Sequence, residues 1–255
     1  MQFTIDYLEY FILVFIRIAS MMVTAPFFNS NNFPRLTKMG LSFFFSLVAV
    51  GLMDFTGLSY DGILGFSALV LQEGITGAII GLASGLCLYI LNFCGNMIDM
   101  EIGFSMAMEL DPATNVQSTI TSTLFSQLFL ALFVISDMHY FIIDAIYDSY
   151  KLLPIGGADL KGDFLSVMST YITDYFVIGF RIILPIFSCI LIINVVLGIL
   201  AKVAPQMNMF VIGMQLKIFI GLFLLFMLMG YLPNIVDFLF EEMQKMTKLF
   251  LQQMT

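Results

Sequence analysis

The chain has 255 residues, 60% of them hydrophobic and only 11% Asp, Glu, Lys or Arg, with a mean hydropathy of +0.99. A soluble globular protein is nearer about 45–50% apolar and about 25% charged, so these figures exclude a water-soluble domain and predict an integral membrane protein. The net charge of -8, with ten Lys and Arg scattered singly, leaves neither a basic surface for nucleic acid nor a polybasic patch for anionic lipid.

Backbone at membrane depth must be helical or a closed barrel. Long apolar runs without period-2 alternation select helices, so the expected fold class is an all-α membrane protein of broken apolar helices and hairpins. Cys87, Cys94 and Cys189 form an odd set without a CxxC pattern. Cys87 and Cys94 share a helix face but lie too far apart along the axis for a disulfide, so apolar packing is expected.

The first apolar segment, Tyr7 to Phe28, has acidic Asp6 and Glu9 at its start instead of a positive region, and no removed signal peptide is expected. Arg17 interrupts the segment and reads either as a buried structural partner or as part of a polar path. A second helix is predicted from Pro34 to Met53, proline being well placed just inside a helix start.

Gly74 to Ile98 is uncharged for about one bilayer crossing. Within it Gly77, Gly81 and Gly85 recur every four residues, a smooth seam for close approach by another backbone, whether of a neighbouring subunit or of this chain. Asn92 and Asn96 are placed to hydrogen-bond across the same interface. Asp99 to Asp111 reads DMEIGFSMAMELD, with acids at both ends, Gly103 and flexible Met106 and Met108, and Pro112 limits any helix leaving it. Those methionines suit a core, or a seal that deforms around variable cargo.

Thr119 to Ile135 is uncharged again. Asp137, His139, Asp144 and Asp148 follow. With no second His or Cys nearby, they read as an exposed acidic helix end in preference to a metal or proton site. Lys151 to Asp174 is the clearest polar connection and the expected division of the chain. Tyr175 to Leu200 carries Arg181, expected to pair with a carboxylate, then the Pro185 kink and Asn194.

This helix is expected to run into Lys202 and stop at Pro205, with Gln206 and Asn208 exposed, and a last long helix to resume after Gly213 through Lys217 to Leu232. Lys202 and Lys217 place this corner on the cytoplasmic side by the positive-inside tendency. Over Asn234 to Thr255, Ile235, Phe238, Leu239, Met243, Met246, Leu249 and Phe250 form one stripe, with Glu241 and Lys245 as an i,i+4 pair on the polar side. This tail is expected to lie along the membrane surface or a partner, without spanning.

Ala204 to Gly213 with Leu216-Lys217-Ile218 resembles the signature of the FliR family, a component of the flagellar type III export gate. In that wording Pro205, Gln206, Asn208, Gly213 and Lys217 mark the corner. The Arg17 helix with its Ala-Pro, Leu110-Asp111-Pro112, Pro154-Ile155-Gly156 and Gly179-x-Arg181-x-x-Leu184-Pro185 extend the resemblance over nearly the whole chain. It implies a FliP-like N-terminal region over 1–150, with a plug-like loop at 99–118, and a polar connection over 151–174. A FliQ-like hairpin over 175–233 and an amphipathic tail over 234–255 complete the division. It also implies that Met106, Met108 and Leu110 obstruct a channel, although aromatic residues supply part of the plug in other members.

The function implied is a non-enzymatic subunit of the export gate in the bacterial cytoplasmic membrane, at the flagellar basal body. Its partners would be FliP-like and FliQ-like subunits, an FlhB-like subunit and membrane lipid, with exported flagellar proteins as cargo and no cofactor or nucleic acid. Two alternatives stay open: the homologous subunit of a virulence injectisome, and a secondary transporter or ion channel using Arg17, Arg181 and Asn194 as a polar path. An intramembrane enzyme is least supported, since no Walker motif or nucleophile–base pair is visible.

Overall fold

A computed structural model describes residues 5–25, 28, 34–53, 60, 62–104, 109–110, 117–158, 164–206 and 208–254. Nine helices occupy nearly all of them: α1 (Ile5–Thr24), α2 (Arg35–Leu52), α3 (Gly62–Ser84), α4 (Leu86–Ile102), α5 (Ile120–Ile135), α6 (Met138–Leu152), α7 (Phe164–Val203), α8 (Met209–Met229) and α9 (Leu232–Gln253). Two two-residue strands, β1 (Glu109–Leu110) and β2 (Gln117–Ser118), pair antiparallel between α4 and α5. α1, α2, α3, α7 and residues 211–229 of α8 are long and apolar enough to cross a membrane, and α5 with α6 forms a further pair bent by 74°. The protein is an all-α membrane protein, as composition requires.

The chain divides into two compact units, each built from discontinuous segments: Met1–Leu86, Ser136–Tyr171 and Phe240–Thr255 in one, Cys87–Ile135 and Ile172–Leu239 in the other. One change of unit, from Tyr171 to Ile172, falls inside the expected polar connection at 151–174, but it lies within a helix, since α7 already starts at Phe164. Asp174 and its neighbours continue a 40-residue helix with Pro185 inside it.

In the first unit, Tyr10, Leu13, Val14, Arg17, Ile18, Met21 and Met22 are buried along one face of α1, the i, i+3, i+4 pattern of an amphipathic helix. That face meets α3 where a side chain is missing. A Cβ at Gly77 would lie 2.0 Å from the Arg17 carbonyl oxygen, and one at Gly81 2.0 Å from Thr24 Oγ1. At Gly77 and Gly81 the glycine seam is thus occupied by α1 of the same chain, the second of the two neighbours its spacing allows. Gly85 is buried at the break between α3 and α4, so the uncharged stretch from 74 to 98 is two helices.

α9 departs in part from expectation: of its stripe, Leu239, Met243, Met246 and Phe250 are buried in this chain, Ile235 and Leu249 are half-buried, and Phe238 is exposed. Phe250 meets Phe164 and Tyr171 at ring distances of 6.1 and 5.9 Å. Lys245 pairs with Glu242 at 3.3 Å, one residue from the expected Glu241.

In the second unit Phe93 of α4 stands among Tyr175, Phe176 and Phe180 of α7 at 5.5–5.7 Å, packed where Gly179 leaves room. Cys87 and Cys94 are free and buried, and Cys189 is free and half-buried. The Cys87 thiol donates to the Leu239 carbonyl at 3.0 Å.

Candidate functional site

Three polar constructions interrupt the apolar fold. In the first unit Arg17, 1% exposed, meets Glu73, 0% exposed, in a two-pronged pair: Nε to Oε2 at 2.5 Å and a terminal nitrogen to Oε1 at 3.0 Å. The other terminal nitrogen donates to the carbonyls of Leu153 at 3.0 Å and Ser149 at 3.3 Å. The guanidinium lies over the Tyr150 ring, 4.3 Å from its centroid. Glu73 Oε1 also accepts the Gly156 N–H at 3.0 Å, and the neighbouring Gln72 donates to the carbonyls of Gly156 and Ala158.

The Pro-Ile-Gly turn is therefore bolted to α1 and α3 by charge-assisted bonds. A left-handed φ of 76° at Gly156 makes the turn possible. Arg17 is a satisfied structural partner inside the unit. Glu73 and Gln72 stand immediately before the uncharged run that starts at Gly74 and belong to no local motif. A lone acid within an apolar helix, opposite a lone arginine in another, was the signal that could have found the pair.

In the second unit a polar ladder joins α4 to α5. Asn92, Asn96 and Asp99 share a face of α4 at spacings of four and three. Asn92 Oδ1 accepts from Ser122 and Ser126 at 2.7 Å each, and Asn96 Oδ1 accepts from Thr119 at 3.0 Å. Asp99, 0% exposed, accepts the Thr121 N–H at 2.8 Å and the Thr121 hydroxyl. A carboxylate at the first turn of α5 satisfies an otherwise orphan donor and sits at the positive end of the helix dipole. Gly95 lets the backbones touch, since a Cβ there would lie 2.4 Å from Ser122 Cα. The asparagines thus bond to α5, away from the Gly77–Gly81 seam.

This ladder is the base of the loop between α4 and α5. Leu110 pairs with Gln117 in the short β1–β2 ribbon. Met106 and Met108, the other expected plug residues, lie outside the described residues, as does the Leu110 side chain.

The third construction is the corner between α7 and α8. α7 ends at Val203 ahead of exposed Pro205 and Gln206. α8 begins at Met209, earlier than expected, because the Asn208 side chain accepts from the Val211 N–H at 3.5 Å and caps it. Gly213 is buried and faces Leu197, which an added Cβ would approach to 3.1 Å. Lys217 is half-buried. Arg181 and Asn194 are exposed on α7. No carboxylate pairs with Arg181 among the described residues, against expectation.

The acids at 137–148 hold no metal-binding group of three among the described residues. Asp137 takes a left-handed φ of 57° at the α5–α6 bend, Asp144 and Asp148 are exposed, and Lys151 pairs with Asp148 at 2.8 Å.

Residues 8–243 match the family described as Bacterial export proteins, family 1. The chain is similar to the flagellar biosynthetic protein FliR of Bacillus subtilis (strain 168), 29% identical over 245 residues covering 94% of each chain. It is also similar to that of Escherichia coli (strain K12), 26% identical over 231 residues, 89% of this chain and 87% of the relative. The Aquifex aeolicus (strain VF5) protein is 26% identical over 247 residues, 97% and 95% of the two chains.

Proposed function

Since the chain belongs to bacterial export proteins family 1, the FliR family of flagellar biosynthetic proteins, we propose that it is a subunit of the flagellar protein export gate in the cytoplasmic membrane. One copy joins FliP-like, FliQ-like and FlhB-like subunits around a passage for unfolded flagellar proteins. It has no catalytic duty, and the loop at 99–118 obstructs the passage until cargo arrives, Met106, Met108 and Leu110 forming the obstruction.

The observation that carries this reading is the exposed apolar surface of α7. Large hydrophobic residues are exposed along the helix from Leu165 through Phe180, Ile192 and Ile199 to Val203. At 1.5 Å per residue this surface runs about 57 Å, against about 30 Å of hydrocarbon. Lipid alone would cover it only at a tilt near 60°, beyond the usual range of about 0–40°. Other subunits are the natural cover for the remainder.

Affinity purification of the tagged chain from its own cells tests the assembly. FliP-like and FliQ-like proteins are expected in stoichiometric amounts, and deletion is expected to abolish motility and filament secretion. A stable solitary monomer that moves small solutes would refute the reading. Smaller residues at Met106 and Met108 are expected to leak ions through the assembled gate, and unchanged conductance with normal assembly would remove them from the obstruction.

A further inference from the structure

The second unit carries a cation that its own fold leaves without an anion. Arg181 is exposed on α7, and no ion pair or hydrogen bond reaches it among the described residues. It lies 21 residues before Lys202, and everything between them is uncharged. The two cations are thus about 31 Å apart along the helix, one hydrocarbon thickness.

α8 covers nearly the same length in 21 residues. Tyr231 of the turn after it and Asn234 of α9 line the same groove as Arg181. Tyrosine favours the membrane–water boundary, where a lone arginine is also least costly. On the side toward Lys202 the groove, of about 580 Å³, continues as an apolar trough lined by Ile182, Ile186 and Leu224. A volume of that order suits a ligand buried in part.

We propose that this groove holds one anionic glycerophospholipid, its phosphate on the Arg181 fork and an acyl chain in the trough. A planar guanidinium matches phosphate oxygens with two parallel bonds. The adjoining trough, which a lone carboxylate from a protein partner would leave empty, selects an occupant with a hydrocarbon tail. The inference goes beyond the export reading and does not rest on it.

The test uses the full chain, purified with whatever subunits accompany it. It is stripped of lipid and titrated with phosphatidylglycerol or phosphatidylcholine, and bound lipid is counted by native mass spectrometry. One phosphatidylglycerol per chain is expected, with phosphatidylcholine about tenfold weaker. Arg181→Gln should lose about tenfold in phosphatidylglycerol affinity, Arg181→Lys less, and Lys202→Gln nothing. Leu224→Trp, which fills the trough and leaves the cation, should weaken both lipids. Circular dichroism identifies any variant that has unfolded, and the conservative lysine variant decides the case if the glutamine variant has. Equal retention of the two lipids, or undiminished phosphatidylglycerol binding by a folded Arg181→Gln chain, would overturn the proposal. So would loss of a protein subunit from that variant with lipid binding intact, which would identify a protein carboxylate as the occupant.

Discussion

Replacing Arg17 by Met keeps most of the side-chain volume and removes the charge from the centre of the first unit. Glu73 would then remain 0% exposed with the Gly156 N–H as its surviving bond, and the Leu153 and Ser149 carbonyls would lose the guanidinium donors. Breaking a buried pair from one side costs about 3–5 kcal/mol. For a chain of this size that corresponds to a fall of roughly 6–20 °C in melting temperature. The assay is thermal unfolding of the detergent-solubilised chain followed by circular dichroism, run as a cycle with Glu73→Met and the double variant. Because either single change strands a charge that the double change does not, the double variant should be more stable than the sum of the singles predicts, by about 2 kcal/mol or more. Additive losses, or a shift below about 1 kcal/mol for Arg17→Met, would show that the pair does not hold the unit together.

Gly77→Ala and Gly81→Ala each drive a Cβ to 2.0 Å from α1 atoms. They should destabilise the isolated chain by about 3 kcal/mol or more, and a defect seen only in the assembled complex would contradict the internal contact. Gly95→Ala should separate α4 from α5, read as faster proteolysis within the intervening loop at an unchanged rate elsewhere. Asp99→Ala strips the first turn of α5 of its carboxylate and should cost about 1–3 kcal/mol. Asp99→Asn, which still accepts one bond, should recover part of that loss in the same melt. Asn208→Ala should weaken the start of α8 by about 0.5–1 kcal/mol, measurable as faster amide exchange at Val211 and Ile212.

Composition alone carried the fold class, and Pro205 carried the stop of α7, because a missing donor is a local fact. Partners were harder to read. Apolar periodicity marks a face of α9 as buried without saying what buries it, so a stripe assigned to a membrane surface or partner proved to be covered for the larger part by this chain, with Phe238 left exposed. The same holds for Gly77 and Gly81, whose spacing promises close approach while naming no neighbour. Arg17 could be seen to need a counter-charge, yet Glu73 stands 56 positions away and no local pattern links them. Asp174 looked like loop because it is charged, but a helix tolerates such a residue where its side chain can reach a polar surrounding. Asn208 is plainly polar in the sequence, whereas its role as a cap, which moves the start of α8 forward, depends on the backbone geometry around Val211.

The bolt around Arg17 also sets a timetable for synthesis. Glu73 emerges 56 residues after its arginine, but the carbonyls of Ser149 and Leu153 and the Gly156 amide arrive only some 80 residues later. At about 5–20 residues per second this is a delay of roughly 4–16 s. During it the first three helices hold a half-finished ionic centre, and the nascent chain must keep them out of plain hydrocarbon until its own middle catches up.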